Sequence, residues 1–240
     1  MRALPLRSLL YALFQLAVTP FFAILSLLTF PLPLRRRYLV ISLWARMMVK
    51  AAELMCGIRY RVVGAHNIPD EACILLSNHQ SAWETFVFQL IFPPQVWVLK
   101  RELLWIPFFG WGLAMLAPIA IDRSAGTRAL RQTYEQGKDR LSRGFWIVIF
   151  PEGTRVDPGV DRAYQSGGAW LACKTGAKIV PVAHNSGSCW PRNSFVKRPG
   201  IITVKIGEPI DPRNATVNDL NARVERWIKS EVSRLEHEPA

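Results

Sequence analysis

Between Arg7 and Arg35 the chain carries no charged side chain: SLLYALFQLAVTPFFAILSLLTFPLPL, Ser8 to Leu34. A run of about 27 such residues exceeds the ~20 needed to cross a bilayer's hydrocarbon core as a helix. It fits a cleaved signal peptide poorly. The apolar run is too long, and Pro31 and Arg35 fall where a small-residue cleavage site would stand. Two membrane topologies stay open: a single span, or a hairpin that dips into one leaflet and returns. Pro20, near the middle, lacks an N–H and is expected to kink or break a helix there. Arg2 and Arg7 precede the run and Arg35–Arg37 follow it, so loop charge gives no direction of insertion. The next stretch, residues 36–62, mixes Arg46 and Lys50 into an apolar helical pattern and reads as a helix lying in the interface. A buried core helix is the structural alternative. Residues 1–56 are taken as one membrane-embedded or interfacial helical segment.

Charge points the same way. Half of the 240 residues are apolar, the formal net charge is +12, and there are nine tryptophans. That balance favours an anionic partner: phospholipid headgroups, nucleic acid or a phosphorylated substrate. Tryptophan beside Lys and Arg suits the headgroup depth of a membrane. The four cysteines form no C-x-x-C pair, and no histidine stands at zinc spacing from them. They read as free thiols in a reducing compartment, and no metal site is expected.

After Gly57 the pattern changes to short apolar runs alternating with helical ones. IRYRVVG, CILLSN, VWVLK, MLAPIAI, FWIVIF, KIVPVA and IITVKIG read as strands. Helical stretches lie between them. One begins near Ser124, stops at Gly144 and sets Leu130, Tyr134 and Leu141 on one face. GGAWLACKTGA is a short buried helix. The last aligns Leu220, Val224, Trp227, Ile228 and Leu235, behind Thr216 and Asp219 at capping-box spacing. The fold class is therefore α/β: a mostly parallel sheet flanked by helices, as one unit over 57–240 with the helical segment in front. Ligands of such sheets gather at the carboxyl ends of strands. Four strand ends there carry polar residues: His79, Asp122-Arg123, Pro151 to Arg155, and His184-Asn185.

His79 and Glu84 stand five residues apart. Mid-helix, their side chains would point about 140° apart. They meet if His79 lies in the turn after a strand and Glu84 in the first turn of the next helix, where Ser77, Asn78 and Ser81 supply capping chemistry. Glu84 would then hold one ring nitrogen and leave the other to take a proton from a hydroxyl. A strand-end histidine with a local hydrogen bond is the plainer reading of that pair alone. In FPEGTR, Gly153 lets the backbone approach a ligand, Arg155 and Thr154 offer donors to a phosphate, and Glu152 would orient Arg155 or a substrate hydroxyl. An ordinary turn explains the segment equally well in isolation. LKRELLWIPFFGWGL brings Lys100 and Arg101 to a bulky apolar run, which suits an acyl-chain slot or a packed core turn. IVPVAHNSG reads as a channel wall or a Pro-interrupted strand.

In their order, NHQSAWET, KRELLWIPFFGWGL with IDR, FPEGTR and IVPVA resemble the four signature blocks of the 1-acyl-sn-glycerol-3-phosphate acyltransferases, over about residues 58–210. The resemblance implies acyl transfer from acyl-CoA or acyl carrier protein to the 2-hydroxyl of a lysophosphatidate, giving phosphatidate. It implies His79 as general base and Glu84 as the acid that orients it. Lys100, Arg123, Gly153, Thr154 and Arg155 become substrate-binding residues for the acceptor's phosphate, and Glu152 a further substrate-binding residue. It also implies a glycerol-3-phosphate acyltransferase-like fold with an N-terminal anchor in the cell inner membrane and an active site on the cytoplasmic face. No metal, organic cofactor or nucleic-acid partner is implied. Two departures stand out. The acid of the histidine block is usually Asp, and the residues after FPEGTR are usually Phe-Lys, where this chain has Tyr164-Gln165. The second keeps another lysolipid acceptor, such as a lyso-aminolipid, in view. A membrane-bound esterase with Ser77 or Ser81 as nucleophile is a rival of another class, although the chain has no G-x-S-x-G elbow. A basic membrane-binding or nucleic-acid-binding module fits the charge but leaves the paired motifs unexplained.

Overall fold

The computed structural model describes residues 3–122 and 126–237. The uncharged run lies in one helix, α1 (Ala3–Leu28), which a short turn joins to α2 (Leu34–Cys56). The expected break at Pro20 does not occur. Pro20 has no N–H for the Leu16 carbonyl one turn back, yet the helix runs on, and beside it the Thr19 hydroxyl accepts the Trp44 indole N–H of α2 (3.3 Å). Packing of α2 along α1 holds the helix on either side of the proline. α1 is long and apolar enough to cross a membrane, with Leu6, Leu13, Leu16, Phe21, Ile24 and Leu28 on its exposed surface. The main apolar stripe of α2 (Tyr38, Ile41, Ala45, Met48, Val49, Ala52) is instead buried in the protein core, leaving Leu39, Leu43, Met47 and Leu54 exposed. Gly57 closes α2 at φ 72°, the left-handed conformation that lets its N–H cap Glu53 O.

Seven strands follow, one for each expected run: β1 (Ile58–Val63), β2 (Ile74–Ser77), β3 (Gln95–Lys100), β4 (Ile119–Ile121), β5 (Trp146–Ile149), β6 (Ile179–His184) and β7 (Gly200–Ile206). They form one sheet in the order β1-β7-β6-β2-β5-β3-β4. The five strands from β6 to β4 run in one direction. β7 pairs antiparallel to β6, with Val182 opposite Ile206, and β1 is parallel to β7. The sheet is therefore mixed, with its parallel part holding every strand end singled out from the sequence. β2 and β6 are buried along their whole lengths, as strands covered on both faces must be.

The remaining helices are α3 (Trp83–Ile91), α4 (Phe109–Met115), α5 (Thr127–Ser142), α6 (Gly167–Thr175), α7 (Ser186–Cys189) and α8 (Val217–His237). Thr216 and Asp219 form the expected reciprocal cap ahead of α8, whose Leu220, Val224, Ile228 and Leu235 are buried. α5 departs from expectation, since Leu130 is exposed while Tyr134 and Leu141 pack on the core. Buried residues of α1, α2, the sheet and α8 belong to one hydrophobic core, so the helical hairpin and the sheet are packed together.

Candidate active site

The turn from β2 to α3 is fixed before any side chain acts. Asn78 exchanges hydrogen bonds with the His184 backbone, donating Nδ2 to its carbonyl (2.9 Å) and accepting its N–H (3.1 Å), which ties the ends of β2 and β6. His79 is then clamped by the FPEGTR segment. Its N–H donates to Glu152 Oε2 (2.9 Å) and its carbonyl accepts the N–H of Val156 (2.7 Å). Its ring stacks on Phe150, with centroids 4.0 Å apart.

Glu84 lies in the first turn of α3, and His79 Nδ1 is 2.7 Å from its Oε1. That oxygen also accepts the N–H groups of Gln80 (2.9 Å) and Ser81 (2.8 Å). The Ser186 hydroxyl donates to the other oxygen at 2.9 Å. Glu84 is fully buried. Burial alone would raise its pKa, but the imidazoles of His184 and His79 and the donors around it outweigh this and hold it well below the usual carboxylate range. Burial also disfavours the charged form of His184. The hydrogen-bond donors from His79, Gln80, Ser81 and Ser186 therefore carry the case for an ionised Glu84. An ionised carboxylate has no proton to give, so the 2.7 Å contact requires the Nδ1–H tautomer of His79. The other nitrogen, Nε2, is left as an acceptor.

His79 borders a cavity of ≈ 530 Å³. Its wall is mostly apolar, drawn from α1 (Phe22), α2 (Ile41, Trp44), α3 (Phe86), β3 and the Leu103–Leu116 region. Lys100, Gly153, Thr154 and Arg155 line it as well, so four of the expected binding residues share one chamber with His79. Gly153 makes this possible. It adopts φ 74° and donates to Phe150 O (3.0 Å), turning the chain sharply enough to bring Arg155 to the cavity wall. Glu152 does not line the cavity. Its carboxylate is buried behind His79, and burial, reinforced by the nearby Glu84 charge, lifts its pKa to about 7 against the opposing His79 amide and the Arg162 and Lys229 charges. Arg123 lies outside the described residues. Asp122 pairs with Arg101 (3.5 Å) away from the chamber.

Two contributors were missed. Ser186 and Arg192 come from the segment after β6, and no local pattern marks them, whereas His184 was singled out as a polar strand end. Ser186 and His184 form the buried backing of Glu84. Arg192 lines the cavity and donates from Nη1 to Arg155 O. Neither suggested nucleophile faces the cavity: Ser77 is buried in β2, and the buried Ser81 hydroxyl accepts the Trp83 N–H (3.0 Å).

A family model described as Acyltransferase matches residues 59–185, which contain both the His79 and FPEGTR segments. A 1-acyl-sn-glycerol-3-phosphate acyltransferase of Pseudomonas aeruginosa is 43% identical over 96% of this chain and 91% of that relative. The chain belongs to the 1-acyl-sn-glycerol-3-phosphate acyltransferase family. A Saccharomyces cerevisiae protein of the same name is 30% identical over 92% of this chain and 74% of its own length. The fold is shared too. The crystal structure of the 1-acyl-sn-glycerophosphate (LPA) acyltransferase PlsC from Thermotoga maritima matches with a TM-score of 0.82 at 25% identity, covering 98% of this chain and 97% of that one. As a member of this acyltransferase family the chain is an enzyme, and its mixed sheet flanked by helices is the family's fold.

Proposed function

We propose that the enzyme transfers a fatty acyl group from the thioester of acyl-CoA or acyl carrier protein to the 2-hydroxyl of 1-acyl-sn-glycerol 3-phosphate. The product is phosphatidate, a phospholipid precursor. His79 Nε2 takes the hydroxyl proton as the oxygen attacks the thioester carbonyl. The C–S bond then breaks, and the proton passes from His79 to the departing thiolate. Attack is direct, so no acyl-enzyme forms. Glu84 fixes the tautomer and stabilises the imidazolium that develops. The observation that carries this reading is the cavity itself. It joins an oriented imidazole and a cationic patch to an apolar chamber, which is the chemistry of an anionic amphiphile with a reacting hydroxyl.

The same reading assigns residues 1–56 to membrane attachment and 57–240 to catalysis. The exposed apolar face of α1 sits in the cell inner membrane, and the cavity opens on the cytoplasmic side, where both donors reside. Among the departures, Gln165 loses weight as evidence for another acceptor, because its side chain is exposed and does not line the cavity.

Purified membranes given labelled acyl donor and a panel of lysolipids are expected to turn over 1-acyl-sn-glycerol 3-phosphate best. Strong product from a lyso-aminolipid with none from lysophosphatidate would replace the acceptor assignment. Arg155→Ala is expected to raise the acceptor KM about 10- to 100-fold, the equivalent of one charge-assisted hydrogen bond, with kcat within a few-fold. Steady-state kinetics with acceptor varied at saturating donor checks this, and the reverse split would assign Arg155 to the chemical step.

A further inference from the structure

Lys100 and Arg155 each bring a cation to the cavity that His79 borders. The structure brings a cation to the same cavity from another element. Arg192 lies between α7 and β7, nine residues beyond IVPVA, and it lines the chamber with His79, Lys100 and Arg155. We propose that Arg192 is a ligand of the acceptor's phosphate and sets the preference for a phosphomonoester headgroup. This rests on the acceptor reading above.

The loop that carries Arg192 is anchored. Trp190 packs edge-on against Tyr11 of α1 (5.3 Å) and Phe86 of α3 (6.1 Å). The Lys197 ammonium sits over Trp190 (4.5 Å) and Tyr11 (5.0 Å), and its backbone N–H donates to Ser8 Oγ (2.9 Å). Asn193 takes the left-handed turn at φ 56° that follows Arg192. The guanidinium is held beside Arg155 by its bond to the Arg155 carbonyl, which engages one of its five N–H donors. Lys100, Arg155 and Arg192 thus border one cavity, and no carboxylate lines it among the described residues. Lys100 is 3.4 Å from Glu102, but that pair is exposed and screens little. Gathering like charges in a partly apolar chamber is unfavourable until an anion enters. A phosphomonoester, at about −1.5 to −2 charge, relieves it and suits a planar guanidinium fork.

The test compares wild type, Arg192→Gln and Arg192→Lys. Glutamine keeps a donor for the Arg155 carbonyl and removes the charge, which separates headgroup binding from loop support. Binding of radiolabelled 1-hexanoyl-glycerol 3-phosphate, without acyl donor, is read by equilibrium dialysis in detergent. Arg192→Gln is expected to weaken binding about 10- to 100-fold and to raise acceptor KM in parallel, with donor KM unchanged. Arg192→Lys is expected to fall between the two. Wild-type affinity in Arg192→Gln overturns the assignment, as does a lysine variant that binds as weakly as the glutamine one. Wild-type protein that binds the ligand but does not acylate it would instead overturn the acceptor reading and leave the binding comparison intact.

Discussion

His79→Ala is expected to lower kcat about 10²- to 10⁴-fold while leaving the acceptor KM within a few-fold, because the imidazole acts on the proton that moves rather than on the headgroup. The geometry argues that the variant folds. Without the ring, Glu84 Oε1 still accepts two backbone N–H groups and Oε2 still accepts the Ser186 hydroxyl. The backbone bonds from residue 79 to Glu152 and from Val156 are independent of the side chain. The stability loss is that of one charge-assisted hydrogen bond and a ring stacked on Phe150, roughly 1.5–3 kcal/mol. Single-turnover kinetics together with a thermal melt separate the two effects. Near-wild-type turnover in a folded His79→Ala enzyme would remove the general base from the mechanism.

The sequence alone carried the framework of this site, and the reasons differ from residue to residue. All seven strands were legible because each is a short apolar run bounded by turn residues, and the ends of the parallel strands followed from the alternation with helices. The antiparallel pairing of β6 with β7 was not, since strand periodicity is the same in either direction. Pro20 misled because a local rule about a missing N–H takes no account of the neighbouring helix packed along α1, where Trp44 bonds to Thr19. His79 and Glu84 were legible as a pair that a turn would bring together, and the contact is there at 2.7 Å. Glu152 was expected among the substrate contacts and instead supports the backbone of His79, across a sequence separation of 73 residues. Ser186 and Arg192 left no trace. Each is a common residue outside any repeating pattern, and only the tertiary fold, which sets Ser186 on Glu84 and Arg192 on the cavity wall, gives it a role.

Glu84→Gln is the sharper probe, because it removes charge and almost nothing else. The amide oxygen can accept from Gln80, Ser81 and His79, and the Ser186 hydroxyl can rotate to accept from the new NH₂. What disappears is the anion that stabilises imidazolium as the hydroxyl proton arrives. A kcat loss on the order of 10²- to 10⁴-fold is expected, with the acidic limb of kcat/KM displaced to lower pH. The same substitution has a signature in stability. The folded-state pKa of Glu84 lies below its ordinary value of 4.5, so its contribution is fully present above that value and is lost as pH falls through the native one. Glu152 works in the opposite sense. Its pKa is raised to about 7, so the native state holds that proton more tightly and loses the contribution as pH rises from 4.5 towards 7. Denaturant midpoints measured from pH 3 to 7.5 should therefore show a smaller acid-side decline in Glu84→Gln than in wild type, with the decline on the Glu152 side retained. An unchanged acid limb would mean that Glu84 is not held ionised by its donors. In that case the Nδ1–H tautomer of His79, and with it the assignment of Nε2 as the base, would lose its physical ground.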